Sequence, residues 1–255
     1  MQTRSLIIDL GNTRIKWAIL TSPRDEPLRH GAIEAQRGSA GARSWVDLVL
    51  HTLMDEPDPD WLIYGASGGL NPDAINEFID RLGRPVAVHV TPKTHGYVSS
   101  SYTTPQTLGT DRWAAVHAAY DQDPTAHWLI INVGTATTVD FLSNDATYRG
   151  GVILPSLEMQ AEALHEKTAK LPEVSISHPL PLLGLSTEQA IAAGLWNVYS
   201  LGILGIRDQL NAQYGPHKLI VTGGGWTEAM TAFFTPDVHD PWLVMRGLMA
   251  LGQSK

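Results

Sequence analysis

Short apolar runs separated by polar turns open the chain. Residues 5–10 (Ser-Leu-Ile-Ile-Asp-Leu) form a β-type run, and a second apolar run follows at residues 15–20. The polar turn Gly11-Asn12-Thr13 lies between them. Two such runs around a short turn predict a β-hairpin with polar residues at its bend.

The rest of the first half mixes helical and β-type patterns. Apolar positions three and four residues apart are typical of helices, and short β-rich runs are typical of strands. The pattern predicts helices over residues 43–54, 73–82 and 112–120, and strands over residues 61–64 and 86–91. Residues 97–109 are polar and rich in Ser and Thr, which predicts a loop.

The second half continues with another hairpin pattern and long helices. The turn-like residues 143–145 (Ser-Asn-Asp) join two apolar runs, the later one at residues 148–154. Ser186 and Gln189 have the spacing of a capping box, so we expect them to cap a long helix. The pattern predicts helices over residues 157–170, 187–212 and 241–251, and a strand over residues 218–222.

The opening pattern recurs near the middle of the chain. Residues 7–13 (Ile-Ile-Asp-Leu-Gly-Asn-Thr) align with residues 130–136 (Ile-Ile-Asn-Val-Gly-Thr-Ala), and β-type residues follow both. A length of 255 residues allows one large domain or two of ordinary size. The repeat indicates two similar halves, and we expect an α/β protein divided into residues 1–120 and 121–255.

Composition narrows the classes of function. The content of 43% hydrophobic and 17% charged residues is that of a soluble globular protein, and we expect no membrane span. The N-terminal residues lack a secretory pattern, which favours a cytoplasmic location. The absence of cysteine excludes thiolate nucleophiles and zinc–thiolate sites. The net charge of −8 argues against nucleic acid as a partner, so we expect anionic ligands to be held locally.

The first hairpin turn contains groups suited to phosphate. Glycine lets the backbone approach, turn amides and the Thr13 hydroxyl donate hydrogen bonds, and Asp9 at the strand end can hold hydrated Mg²⁺. For a single copy, a turn in which Asp9 bonds its own backbone is the favoured explanation. The second copy favours two phosphate loops, with Thr222-Gly-Gly-Gly225 free to approach an adenosine.

These segments resemble the type III pantothenate kinase family in sequence and in order. The resemblance covers nearly the whole chain, and other actin-like kinases share the phosphate-loop pattern without the Gly-x-Asp-Arg and Thr-Ala-x-Leu-Pro blocks. The matching motifs are Asp9-x-Gly-Asn-Thr-x-x-Lys16, Leu108-Gly-x-Asp-Arg112, Gly134-Thr-Ala-x-Thr138, Gly150-Gly-x-Ile-x-Pro155, Thr168-Ala-x-Leu-Pro172, Thr187 with Gly194, and Thr222-Gly-Gly224.

The resemblance implies two actin-like (ribonuclease H-like) halves with an ATP cleft between them, Mg²⁺ at Asp9, and a homodimer that completes the pantothenate pocket. It implies that Asp111 is the general base and that Arg112 pairs with the pantothenate carboxylate. The ATP-binding residues it implies are Asp9, Leu10, Gly11, Asn12, Thr13, Arg14, Ile15, Lys16 and Thr135. The substrate-binding residues it implies are Tyr102, Gly109, Thr110, Asp111, Arg112 and Thr187.

Two positions depart from the family pattern. Asn132 stands where many members have an Asp that looks like a ligand of a monovalent cation. An amide oxygen can coordinate K⁺ or NH₄⁺ but adds no charge, so the cation is held weakly, replaced by other contacts, or not needed. Ser156 replaces the usual Gly after Pro155, and a serine there suits the N-cap of the predicted helix.

Several alternatives stay open. Without the resemblance, Asp111 and Arg112 read as an acidic helix start with an exposed arginine. The segment Gly65-Ala-Ser-Gly-Gly69 fits a hydrolase elbow, with Asp237 and His239 as later partners, although glycines and Pro72 interrupt the required helix. His165-Glu166 lacks the second histidine of a zinc protease. A non-enzymatic regulatory relative, or an actin-like kinase for another hydroxylated substrate, remains possible.

Overall fold

A computed structural model describes residues 3–11, 13–34, 45–54, 56, 59–66, 71–83, 85–177 and 180–254. The chain forms two compact units. The first contains residues 1–122 together with residues 242–255, and the second contains residues 123–241. The turn residue Asn12 and the predicted start of the first helix at Arg43 lie outside the described residues.

The first unit is built from strands and helices that alternate after an opening hairpin. Its elements in chain order are β1 (Ser5–Leu10), β2 (Arg14–Leu20), β3 (Arg29–Glu34), α1 (Trp45–Thr52), β4 (Trp61–Ala66), α2 (Pro72–Arg81), β5 (Val86–His89), β6 (Ser99–Ser100), a 3₁₀ turn (Pro105–Thr107) and α3 (Thr110–Gln122).

Five of these strands form a mixed sheet in the order β3-β2-β1-β4-β5. β1 pairs antiparallel with β2 and parallel with β4. Every residue of β1 is buried, which is expected of a central strand covered on both faces. Leu6 and Ile8 pack on one face with Val49 of α1 and Phe78 of α2. Because side chains alternate, Asp9 points to the opposite face.

The second unit repeats this topology. Its elements are β7 (Trp128–Val133), β8 (Ala136–Ser143), β9 (Thr147–Pro155), α4 (Leu157–Lys167), α5 (Thr187–Tyr214), β10 (Lys218–Thr222), a 3₁₀ helix (Glu228–Ala232) and β11 (Val238–His239). Its strands pair in the order β9-β8-β7-β10-β11, which matches β3-β2-β1-β4-β5 position by position. The internal repeat therefore corresponds to a duplicated α/β fold.

The last helix, α6 (Leu243–Gln253), belongs to the first unit, whereas its place in the chain puts it in the predicted second half. Two glycines permit its close packing. A Cβ at Gly247 would lie 1.9 Å from the carbonyl oxygen of Ala114 in α3, and one at Gly252 would lie 2.5 Å from Ile63 in β4. The chain thus returns to its first unit through a contact that sequence order does not predict.

Most predicted elements are confirmed, with ends that shift by a few residues. Within the predicted loop at residues 97–109, the structure has the short strand β6 and a 3₁₀ turn. Ser156 caps α4 by accepting a hydrogen bond from the Met159 amide at φ −62°, a backbone angle that demands no glycine. Ser186 caps α5 through the Gln189 amide, but the Gln189 side chain accepts from Leu185 N–H, so the predicted reciprocal half of the box is wrong.

Helix α5, with 28 residues, is the only helix in the described part of the chain that is long and apolar enough to cross a membrane by length and composition. An 18-residue window within it has a mean hydropathy of 1.3. One face of α5 is buried in the second unit, where Trp196, Tyr199 and Ile203 join its core. That packing is typical of a core helix.

Candidate functional site

The turn between β1 and β2 holds the first predicted phosphate loop. The Gly11 amide donates to the Arg14 carbonyl oxygen at 3.1 Å, and a Cβ at Gly11 would lie 2.7 Å from that same oxygen. Only glycine fits this approach without a shift of the turn. Thr13 and Arg14 are exposed, while Leu10 and Ile15 are buried at the base of the hairpin.

Asp9 lies opposite Lys16 in the hairpin register and is buried, with 8% of its surface exposed. Burial, the largest cause, and the nearby Asp111 carboxylate together raise the pKa of its carboxyl from the usual 3.8 to about 7, although Lys16 opposes both. Burial and a second carboxylate both disfavour the anion. A divalent cation at this position would remove that penalty.

Three predicted substrate residues lie at the start of α3, in the first unit. Thr110 is buried and its hydroxyl donates to the carbonyl oxygen of Ala66 at the end of β4. The Gly109 carbonyl accepts from the Trp113 amide in the first helical turn. Asp111 follows, half-buried, in the first turn of α3. The end of β1 and the start of α3 therefore lie close enough for the Asp9 and Asp111 carboxylates to interact electrostatically.

Arg112 is buried, with 5% of its surface exposed. The alternative of an acidic helix start with an exposed arginine is therefore wrong. Its guanidinium carbon lies 5.9 Å from the ring centroid of Tyr102, within the range of a cation–π contact. A buried guanidinium beside an aromatic ring is suited to hold a carboxylate, because the fork geometry matches two oxygens.

The second unit contains the matching loop by itself. The Gly134 amide donates to the Ala136 carbonyl oxygen, and Thr135 is exposed at the bend between β7 and β8. Gly223, at φ 97°, follows β10, and a Cβ there would lie 2.2 Å from the Val133 carbonyl oxygen and 2.6 Å from Asn132 Oδ1. The glycine-rich turn therefore packs directly on the side chain that departs from the family pattern.

Thr187 is the first residue of α5 and is exposed in the second unit. In the first unit the structure brings together Asp9, Lys16 and Asp111 by charge, and Tyr102 and Arg112 by contact. Thr135, Asn132 and Thr187 belong to the other unit.

Sequence reasoning missed His117, which holds the segment that leads to Tyr102. Its only signal in the sequence is its one-turn spacing from Trp113.

The hydrolase alternative loses one of its later partners. The carboxylate of Asp237 accepts the Leu219 amide at 2.7 Å and so fastens the edge of β10. The candidate nucleophile Ser67 lies outside the described residues. In the described ranges, no three His, Asp or Glu side chains are grouped so as to hold a metal ion.

Comparison with known proteins agrees with the motif pattern. The family model for type III pantothenate kinase matches residues 5–209. Three curated relatives carry the same name: a Bacteroides fragilis protein is 38% identical, covering 96% of this chain and 95% of its own. A Phocaeicola vulgatus protein is 33% identical, covering 96% of both chains. A Burkholderia multivorans protein is 32% identical, covering 97% and 96%.

Solved structures share the fold at low sequence identity. A Campylobacter jejuni protein described as a Baf family transcriptional activator has a TM-score of 0.58 and 20% identity, covering 96% of each chain. A ROK family glucokinase from Streptomyces griseus, in complex with glucose and AMPPNP, has a TM-score of 0.55 and 13% identity, covering 98% and 99%. The chain therefore shares its duplicated α/β fold with these two proteins.

Proposed function

This chain belongs to the type III pantothenate kinase family, and from that membership we propose that it transfers the γ-phosphoryl group of ATP to a hydroxyl of pantothenate, the first step of coenzyme A synthesis. The observation that carries the site assignment is the buried Asp9 beside Asp111, in a unit that also holds Arg112 against Tyr102.

Asp9 is the proposed metal-binding carboxylate. Burial and the Asp111 carboxylate disfavour the charged form of Asp9 and so raise its pKa. Lys16 offsets only part of this effect, so a further positive charge would stabilise the site. Mg²⁺ fits this donor set, because it is commonly held by one or two carboxylates together with substrate phosphates and water. When bound, Mg²⁺ would neutralise charge on the transferring phosphoryl group. The residues from Asp9 to Lys16, with Thr135, are the proposed ATP-binding set.

Asp111 is the proposed general base. Its carboxylate takes the proton of the attacking hydroxyl while that oxygen bonds to the γ-phosphorus, and the bond from phosphorus to the β–γ bridging oxygen breaks to release ADP. Phosphoryl transfer depends mainly on positioning and charge, so a single carboxylate at the start of α3 suffices for the proton. An aspartate in the first turn of a helix also interacts favourably with the helix dipole, but this contribution to stability is small.

Arg112 is the proposed partner of the pantothenate carboxylate, with Tyr102, Gly109, Thr110 and Thr187 completing the set of substrate residues. Burial strengthens an arginine–carboxylate contact, since water competes less for both charges. The Tyr102 ring lies within cation–π distance of the guanidinium, whose planar fork can form two parallel hydrogen bonds with a carboxylate.

Asn132 suggests a weak requirement for a monovalent cation. Its amide oxygen is a candidate ligand for K⁺ or NH₄⁺ and lies close to the turn at Gly223. Without a carboxylate the position adds no charge to a cation site. We expect only modest stimulation of activity by either ion.

We propose a homodimer, supported by an apolar stripe on the exposed face of α5. Gly194, Val198, Leu201, Gly202 and Gly205 lie at helical spacing opposite the buried face. Val198 and Leu201 are 71% and 57% exposed, and a Cβ built at any of the three glycines meets no atom within 4 Å. Large exposed apolar side chains beside open space are typical of a protein interface.

A cytoplasmic location, with no membrane or nucleic-acid partner, fits such an ATP-dependent metabolic enzyme.

The deciding experiment is phosphorylation of pantothenate by the purified chain with ATP and Mg²⁺, with and without K⁺ or NH₄⁺. A reaction lacking pantothenate measures background ATP hydrolysis. Formation of phosphopantothenate supports the proposal. Its absence in every salt, from protein that unfolds cooperatively, would favour a regulatory relative, and turnover of a different hydroxylated acceptor would favour a kinase of altered specificity.

A further inference from the structure

Three side chains of α3 hold the segment that leads into the loop containing Tyr102. Trp113, His117 and Asp121 are spaced one turn apart and lie on one face of the helix. Trp113 Nε1 donates to the His95 carbonyl oxygen at 2.7 Å, and the Tyr97 hydroxyl donates to the Asp121 carboxylate. We call Trp113, His117 and Asp121 the α3 clamp.

His117 is the central member of the α3 clamp and is fully buried. Its Nε2 accepts the amides of Tyr97 at 3.1 Å and Val98 at 3.3 Å, and its Nδ1 lies 2.9 Å from the Trp113 carbonyl oxygen. A carbonyl only accepts and an amide only donates, so the single ring proton is on Nδ1. Burial lowers the pKa of His117 to about 4, which keeps the ring neutral near pH 7.

The segment packs tightly on the α3 clamp. A Cβ at Gly96 would lie 2.6 Å from the Trp113 ring, so only glycine allows the backbone to pass there. The Tyr97 ring meets the His117 ring edge to face, with centroids 4.6 Å apart. These contacts leave little freedom for residues 95–98, because their backbone polar groups bond to α3 and the Tyr97 ring packs against it.

Helix α3 contains one half of the proposed carboxylate site and holds the segment that leads to the other half. Arg112 lies next to Trp113 in α3, while Tyr102 follows Val98 by four residues and donates its amide to Ser100 Oγ. The position of Tyr102 against Arg112 therefore depends on how firmly Val98 and its neighbours are held on α3.

We infer that His117 is a positioning residue for the acceptor substrate: by accepting the amides of Tyr97 and Val98, it sets Tyr102 against Arg112 and so determines affinity for the pantothenate carboxylate. This rests on the proposed function. The hydrogen bonds of His117 go to Tyr97, Val98 and Trp113, so its effect should fall on the acceptor and spare the nucleotide.

The test compares His117→Phe with His117→Gln. Phenylalanine keeps a ring but leaves two buried amides without an acceptor, so we expect the KM for pantothenate to rise about tenfold. The KM for ATP should change less than about twofold. Glutamine offers an oxygen near the position of Nε2 and should restore much of the lost affinity. His127→Phe is the matched control, since His127 Nδ1 accepts the Asn144 amide in the second unit.

Tyr97→Phe provides a milder variant if His117→Phe fails to fold. It removes only the hydroxyl bonded to Asp121 and should raise the pantothenate KM in the same direction by a smaller factor. Faster amide hydrogen exchange at residues 97–102 in either variant would support the inference independently of catalysis. If His117→Phe and Tyr97→Phe are both active and neither changes the KM for pantothenate, the inference about His117 is overturned. A wild-type chain that forms no phosphopantothenate would overturn the proposed function and this inference together.

Discussion

At the residue scale, the site retains a carboxyl group that folding disfavours in its charged form. Asp9 is buried near Asp111, and its pKa is raised from 3.8 to about 7. The folded chain therefore keeps a proton on Asp9 that the unfolded chain releases above about pH 4. The stability that this proton gives in acid is lost as the pH rises towards 7.

Replacing Asp9 with Asn removes that ionisation. Without nucleotide or divalent metal, we expect Asp9→Asn to exceed the wild type in stability above pH 7 by on the order of a few kcal/mol, with a smaller difference near pH 4. Urea unfolding at several pH values measures this. Asp208→Asn, at an exposed carboxylate of α5, controls for the loss of one charge. If the stability of Asp9→Asn and that of the wild type depend on pH in the same way, the raised pKa of Asp9 is contradicted.

Asp111 is tested against an aspartate in an equivalent helical position. Asp111→Asn should lower kcat by about 100-fold or more, because it removes the proton acceptor, while nucleotide binding remains. Asp73 occupies the first turn of α2, so Asp73→Asn is the matched control and should retain full activity. Steady-state kinetics and calorimetric titration with ATP separate the two effects. If the two variants turn over equally well, Asp111 only stabilises its helix.

At the element scale, the contact between α3 and α6 illustrates how packing overrides propensity. Helix propensity predicts that alanine at Gly247 stabilises α6 by about 1 kcal/mol. A Cβ there would lie 1.9 Å from the Ala114 carbonyl oxygen, and a backbone atom cannot rotate away as a side chain can. The steric term should therefore win over the propensity term.

We expect Gly247→Ala to destabilise the chain by about 1–3 kcal/mol. Denaturant unfolding provides the measurement. Ala250→Ser adds one heavy atom to the same helix at a half-buried position and should cost less. A Gly247→Ala variant as stable as the wild type would mean that α6 can move away from α3 at little cost.

At the scale of the whole molecule, the exposed stripe on α5 determines the expected assembly. Leu201→Arg places a charge in the middle of the stripe, and burying that charge in an interface is costly. We expect the wild type to sediment as a dimer and Leu201→Arg to approach the 27.8 kDa of one chain. Met54→Arg, at a residue 74% exposed in the first unit, controls for an added surface charge. A dimer that survives Leu201→Arg would place the interface elsewhere.

Local features of the sequence were sufficient for much of the fold. The alternation of apolar runs and turns predicted both hairpins, and the repeat at residues 130–136 predicted the duplicated halves. Such features depend on neighbouring residues, so strand and helix positions are readable without tertiary information. The motifs containing Asp9 and Asp111 likewise identified the candidate site before any distance was known.

Only the tertiary structure decided what depends on contacts between residues distant in sequence. The burial of Arg112, the raised pKa of Asp9 and the return of α6 to the first unit each arise from elements that meet in space. His117 has no distinguishing sequence feature beyond its spacing on α3, yet it accepts two backbone amides from a segment nearly twenty residues earlier. Burial and hydrogen bonding are properties of the packed molecule, which is why the sequence predicted the proposed reacting groups but not the side chains that position the neighbouring backbone.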